Sequence, residues 1–228
     1  MGETRMKKLN LCTLFLAGLF ATQVLTAQQA VKPAGLPVST TNFISDDDGG
    51  VVQIVPASLS PASPSKTNAA PAMKSIRQVS VFLGSAWENV RSGEAALSDL
   101  TGNPNLAALQ NQNVNVLPAA AGVEDFADLG KKPVNDLTIQ NKLVEMLENK
   151  TLPAADAETV FVVFLAPGVK ATVGNHTAGV DFAAYHNLVH VEAGELRYVV
   201  VPFNENAGRS ATAASLAMVE TVFNPASN

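Results

Sequence analysis

The stretch Val160-Phe161-Val162-Val163-Phe164-Leu165, closed by Ala166-Pro167-Gly168, decides the fold class. Six β-branched, aromatic and aliphatic residues run without a polar interruption. A strand that faces solvent alternates apolar with polar; an unbroken run is what a strand buried on both faces needs. Pro167-Gly168 stops it. Both faces of such a strand must be covered, so the chain is expected to place helices against a sheet.

The neighbours agree with that expectation. Upstream, Ile76-Arg77-Gln78-Val79-Ser80-Val81-Phe82-Leu83-Gly84 alternates and then turns apolar, as a second central strand does. Residues 93–111 read as two helical pieces split at Gly102-Asn103-Pro104, and Val114 to Leu117 reads as a short strand. Asp136 to Asn149 is the clearest helix, with Asp136 as expected N-cap and Leu137, Ile139, Leu143, Val144, Met146 and Leu147 on its apolar face. Downstream, Ala184 to Val191 and Leu196 to Phe203 form an expected hairpin that turns at Glu192-Ala193-Gly194-Glu195. Ser210 to Phe223 is apolar nearly all round, as a deeply buried helix is, and Asn224-Pro225 ends it. The fold class read from this order is α/β: a mixed β-sheet with packed helices over residues 75–228.

The N-terminal third is different. Arg5, Lys7 and Lys8 precede an apolar run from Leu9 to Leu19, and Ala21 to Ala27 ends in small residues. This is the layout of a cleaved export signal over residues 1–27, which places the mature chain outside the cytoplasm, secreted or periplasmic. Asn10, Thr13 and Gln23 interrupt the run, which falls short of the roughly 20 apolar residues a membrane span takes. No stable membrane span is therefore expected after cleavage. Residues 28–74, with Pro56-Ala57-Ser58-Leu59-Ser60-Pro61-Ala62-Ser63-Pro64, read as a low-complexity, disordered linker. Within it, Gly50-Val51-Val52-Gln53-Ile54-Val55 is a further strand candidate.

Charge excludes one partner class. The 228-residue chain has a formal charge of -5, and removal of Arg5, Lys7, Lys8 and Glu3 leaves 12 basic and 19 acidic residues, a net of -7. An acidic surface repels phosphate backbones, so no nucleic acid partner is expected. The single cysteine, Cys12, lies in the signal, which leaves the mature chain without disulfide or thiol chemistry.

His176, His186 and His190 fall within one short segment and raise the question of a metal. His186 and His190 would share a helix face, but Tyr185 to Val191 reads as strand. Four residues along a strand span about 13 Å, whereas zinc ligands lie about 2 Å from one ion. The histidines are therefore read as ordinary strand residues, with no metal, cofactor or catalytic residue assigned. Glu124-Asp125 reads as a solvated acid pair in loop-like sequence. Trp87, after the first central strand, reads as core or as the wall of a binding surface. Asn149-Lys150-Thr151 and Asn175-His176-Thr177 are glycosylation sequons.

From Ile76 onward the chain resembles the secreted EXORDIUM-like, or phosphate-induced, family. Four segments carry the likeness in order. Val79-Ser80-Val81-Phe82-Leu83-Gly84-Ser85-Ala86-Trp87 is similar to an opening strand and Gly-Ser-x-Trp turn. Val160 through Val169 is similar to a strand that ends in Pro-Pro-Gly-Val. Asp181-Phe182-Ala183-Ala184-Tyr185-His186 resembles Asp-Phe-Cys-Gly-Tyr-His. Ala214-Ser215-Leu216-Ala217-Met218-Val219-Glu220 resembles Ala-Ser-His-Glu-Leu-Ala-Glu. The resemblance implies a zincin-like fold, in which a helix-borne His binds zinc and the adjacent Glu polarises water. Leu216 and Ala217 stand at those two places, and Ala183 stands for the cysteine. Only Glu220 persists. The expectation is a secreted, non-catalytic domain that binds an extracellular or envelope ligand. The alternative is a metallopeptidase-like hydrolase with an unusual ligand set such as His186 with Glu220.

Overall fold

The computed structural model describes residues 42–45, 51–56, 70–125, 129, 132–192 and 194–224. The expected export signal lies outside the described residues. The expected linker is described only at 42–45, 51–56 and from residue 70.

The protein is a mixed α/β structure built on one large sheet. The central strands are β3 (Ser75–Leu83) and β7 (Thr159–Leu165), parallel and in register from Arg77 opposite Thr159 to Leu83 opposite Leu165. Every residue of β7 is buried, as its composition requires. Beyond β7 lie β11 (Gly194–Val201), parallel to it, and β10 (Phe182–Val191), antiparallel to β11. Next come β2 (Val51–Pro56) and β1 (Asn42–Ser45), both antiparallel. On its other side β3 pairs in parallel with β4 (Asn115–Val116) and then β5 (Ala120–Asp125).

Two outcomes differ from the sequence reading. The sheet takes in Asn42–Ser45, read as linker, together with the strand candidate there, which forms as Val51–Pro56, so it begins ahead of the domain start read at Ser75. β1 pairs with β2, and β2 joins the sheet through β10, which follows it by more than a hundred residues, so no local pattern announces that pairing. Ala120–Asp125 is a strand rather than a loop. Its Ala-Ala-Gly-Val-Glu-Asp sequence has little β propensity, and the open edge of β3 recruits it.

Side chains alternate across the sheet and build two cores. Val160, Val162, Phe164, Val199 and Val201 point to the first face. There they meet α1 (Arg91–Leu97), α2 (Pro104–Ala107) and α4 (Ala207–Phe223). Phe161, Val163, Leu165, Tyr198 and Val200 point to the second face. There they meet α3 (Asp136–Glu148) and a small sheet of β6 (Val134–Asn135), β8 (Ala171–Val173) and β9 (His176–Thr177). Gln78, buried on β3, is fully used: its amide donates to the Leu97 carbonyl at 2.8 Å and accepts from the Leu100 N–H at 2.9 Å. That pins the end of α1 to the sheet.

The helix start expected at Asp136 moves by one residue. Asn135 is the N-cap, and its side chain accepts the Thr138 N–H at 3.0 Å. Asp136 is the first helical residue and turns inward instead. The α4 helix starts at Asn206 in the same way, through the Arg209 N–H, and is longer than the expected Ser210 to Phe223.

Candidate functional site

The loops after β3 and β7 leave the sheet on opposite faces: the first to Trp87 and α1, the second to β8. In open α/β sheets such a divergence at the carboxyl ends of adjacent parallel strands opens a crevice where ligands bind. Here the centre of the crevice is shut. Gly84 sits at φ 115°, and a Cβ there would lie 2.7 Å from that of Ala166. Only glycine allows that approach. The free space is displaced to the side of Trp87.

Trp87 is fixed from several directions. Its Nε1–H donates to the Phe164 carbonyl at 2.9 Å. Its ring stands edge-on to Phe82, with centroids 5.2 Å apart, and to Phe203 at 5.7 Å. Edge-to-face pairs at such spacing favour one orientation by about 1 kcal/mol each. Beside this cluster is a pocket of about 190 Å³ lined by Val90, Gly93, Leu97, Phe203, Asn204 and Glu205 as well as Trp87. Its walls are apolar and aromatic, and its rim carries one amide and one carboxylate. Typical small-molecule pockets begin near roughly 300 Å³, so this one fits a group the size of one side chain. Trp87, read from the sequence as core or as the wall of a binding surface, is a core residue that also lines this pocket. Phe203, Asn204 and Glu205 were not singled out; they reach Trp87 only because β11 ends beside β7.

The residues that the family resemblance brings forward lie elsewhere, on α4 and β10. Ala217 is completely buried in the first core among Ala213, Ala214 and Met218, and Leu216 packs against that core. Glu220 is buried on the same helix. His186 is buried on β10, one residue from Tyr185, whose ring belongs to the second core; His186 therefore faces the α4 side. Burial pushes its pKa from 6.5 down to about 3, so the ring is neutral. His190 shares that strand face but is exposed. His176, on β9, lies 3.9 Å from Asp181 near the surface. Among the described residues no group of three or more His, Cys, Asp or Glu is placed to hold a metal ion. A catalytic zinc takes at least three protein ligands. Leu216 and Ala217 cannot donate a lone pair, so the residues present do not fit one.

The Glu124-Asp125 pair lies on a strand, β5, rather than in a loop, with Glu124 exposed as expected and Asp125 half-buried. Asp125 forms an ion pair with Lys142 of α3 at 3.0 Å, and hydrogen bonding to Asp125 raises the pKa of that lysine. Glu124 lines a second pocket, of about 290 Å³, with Glu94, Ser98 and Phe82.

A polar cluster unseen in the sequence lies on the second face. The Asp136 carboxylate accepts from Tyr198 Oη at 2.8 Å, Gln140 Nε2 at 2.8 Å and Asn187 Nδ2 at 2.9 Å. Burial raises the Asp136 pKa, and hydrogen bonds from Tyr185, Asn187, Tyr198 and Gln140 oppose the rise. Asp136 itself is 1% exposed, while Gln140 and Asn187 are half-buried; the cluster ties α3 to the β10–β11 hairpin.

No helix among the described residues is long and apolar enough to cross a membrane. Comparison with protein-family models, with curated proteins and with solved structures finds no match to this chain.

Proposed function

We propose that this chain is an exported, non-catalytic domain, distantly related to the EXORDIUM-like and zincin group, that binds an extracellular or cell-envelope ligand beside Trp87. The observation that carries the binding role is the pocket at the strand ends, where two aromatic rings and a carboxylate surround a space for one side chain. Its size and lining favour an apolar group with a donor for Asn204 or Glu205, such as a side chain of a peptide or of an envelope polymer. The packing of Leu216 and Ala217 in an apolar core supports the non-catalytic part.

Trp87 is the only tryptophan, so its fluorescence reports on the pocket directly. Short peptides bearing Leu, Phe or Lys are titrated into the exported protein, with Phe203→Ala as control. Saturable change in emission, weakened in the variant, is the expected result. Emission indifferent to every peptide and to solubilised envelope polymer removes the binding role. Stoichiometric zinc together with peptidase activity removes the non-catalytic one.

A further inference from the structure

A third cavity lies at the opposite end of β3 from Trp87. It has about 350 Å³ and is lined by Gln110, Asn113, Val114, Asn115 and Val116. The position follows from topology: these residues adjoin the start of β3, where Ser75 pairs with Asn115, whereas Trp87 follows its end. Nine residues of strand separate the two by about 26 Å.

Its chemistry is also different. Among the described residues, the side chains that line it are three primary amides and two valines, and none of these is charged. Each amide offers donors and acceptors together. The backbone adds more. The N–H groups of Asn115 and Leu117 turn toward β3, bonding Lys74 O and Ile76 O at 2.9 Å each. Parallel strands alternate, so the N–H and C=O of Val116, itself a lining residue, face away from β3. Asn113 holds the wall in shape: it takes the left-handed conformation at φ 60° and ends the turn Ala108–Gln112. The volume lies within the roughly 300–1,000 Å³ of small-molecule sites, unlike that of the Trp87 pocket.

We infer that this cavity is a binding site for a neutral, hydroxyl-rich small molecule, a saccharide or similar polyol. A charged ligand would find no counter-charge among the described lining side chains. An extended peptide would find a strand edge of only two residues, too short for a ladder. A polyol uses what is present: paired donors and acceptors for its hydroxyls, and the partly exposed Val116 for its C–H face.

The test is NMR titration of the full exported protein with glucose, N-acetylglucosamine, cellobiose and glycerol, beside glucuronate and glucosamine as charged controls. The expected result is saturable shifts confined to residues 110–116, with neutral sugars ahead of charged ones. Gln110→Ala and Asn115→Ala alter exposed side chains, and Asn113→Gly keeps the backbone angle while it removes the amide. Each is expected to weaken binding about tenfold, as loss of a hydrogen-bonding partner does. Absence of shifts at tens of millimolar sugar overturns the site. So does binding that is equally strong in all three variants, or a preference for the charged controls. Shifts at Trp87 instead would assign sugars to the other pocket and overturn this one.

Discussion

The hydroxyl of Tyr198 lies 2.8 Å from both carboxylate oxygens of Asp136, across 62 positions of sequence. One residue opens α3 and the other sits in β11, so the contact joins a helix to the hairpin that completes the sheet. Both groups are buried, and burial with the neighbouring Asp136 carboxylate drives the Tyr198 pKa well above 10. The phenol is therefore a fixed donor at any pH the protein meets.

Removing the acceptor is expected to cost more than removing one donor. Asp136→Ala leaves Tyr198, Asn187 and Gln140 without their shared partner, at about 3 kcal/mol or more of folding stability. Tyr198→Phe leaves the carboxylate its other donors and is expected to cost ~1–2 kcal/mol. Urea unfolding of both variants checks the order, and the reverse order would show that the carboxylate is not the hub.

The pH dependence of Asp136 has a definite sign. Its folded pKa is raised, chiefly by burial, so the fold prefers the neutral acid. The stabilisation from that preference is complete below the unfolded value, about 3.9, and is lost as pH rises through the folded one. Relative to Asp136→Asn, the native protein is therefore expected to lose stability as pH rises above 4. Paired melting curves over that range measure it; a difference that does not vary with pH would refute it.

His186 acts in the opposite sense. Burial lowers its folded pKa to about 3, so its contribution is complete above 6.5 and falls away as pH drops toward 3. Within that window one extra proton on the unfolded chain costs up to about 1.4 kcal/mol per pH unit. His186→Gln is expected to flatten the acid limb of a stability profile by that slope. An unchanged slope would mean that the imidazole is charged in the fold.

Restoring donors to α4 is expected to break the core rather than to make a metal site. Ala217 has no exposed surface, so Ala217→Glu forces a larger, ionisable side chain between α4 and the sheet. The expected loss is ~3 kcal/mol or more. Leu216→His is expected to be milder, because Leu216 is only partly buried. Thermal melts with and without zinc test this: a rise in melting temperature on adding zinc to the double variant would show that the helix retains a ligand geometry.

Local chemistry accounts for what was legible. The unbroken run Val160 to Leu165 required two covered faces, and β7 has them. Pro104 after Asn103 marked the start of α2, and the turn near Gly194 marked the hairpin. These signals are contained within a few residues, where propensity and periodicity act. Asp136 shows where that reasoning stops. An aspartate before an apolar helix reads as a cap, but Asn135 takes that role and frees Asp136 for Tyr198.

By itself, then, the sequence determined the central strands β3 and β7, the main helices, the hairpin, the α/β class and the aliphatic character of Leu216 and Ala217. Tertiary structure alone decided that Asn42–Ser45 and Val51–Pro56 extend the sheet, that Phe203 closes a pocket against Trp87, and that three amides gather at the far end. The physical reason is range. Backbone preference and hydrophobic period are written into neighbouring residues, whereas strand order and pocket walls depend on pairings that only chain packing selects.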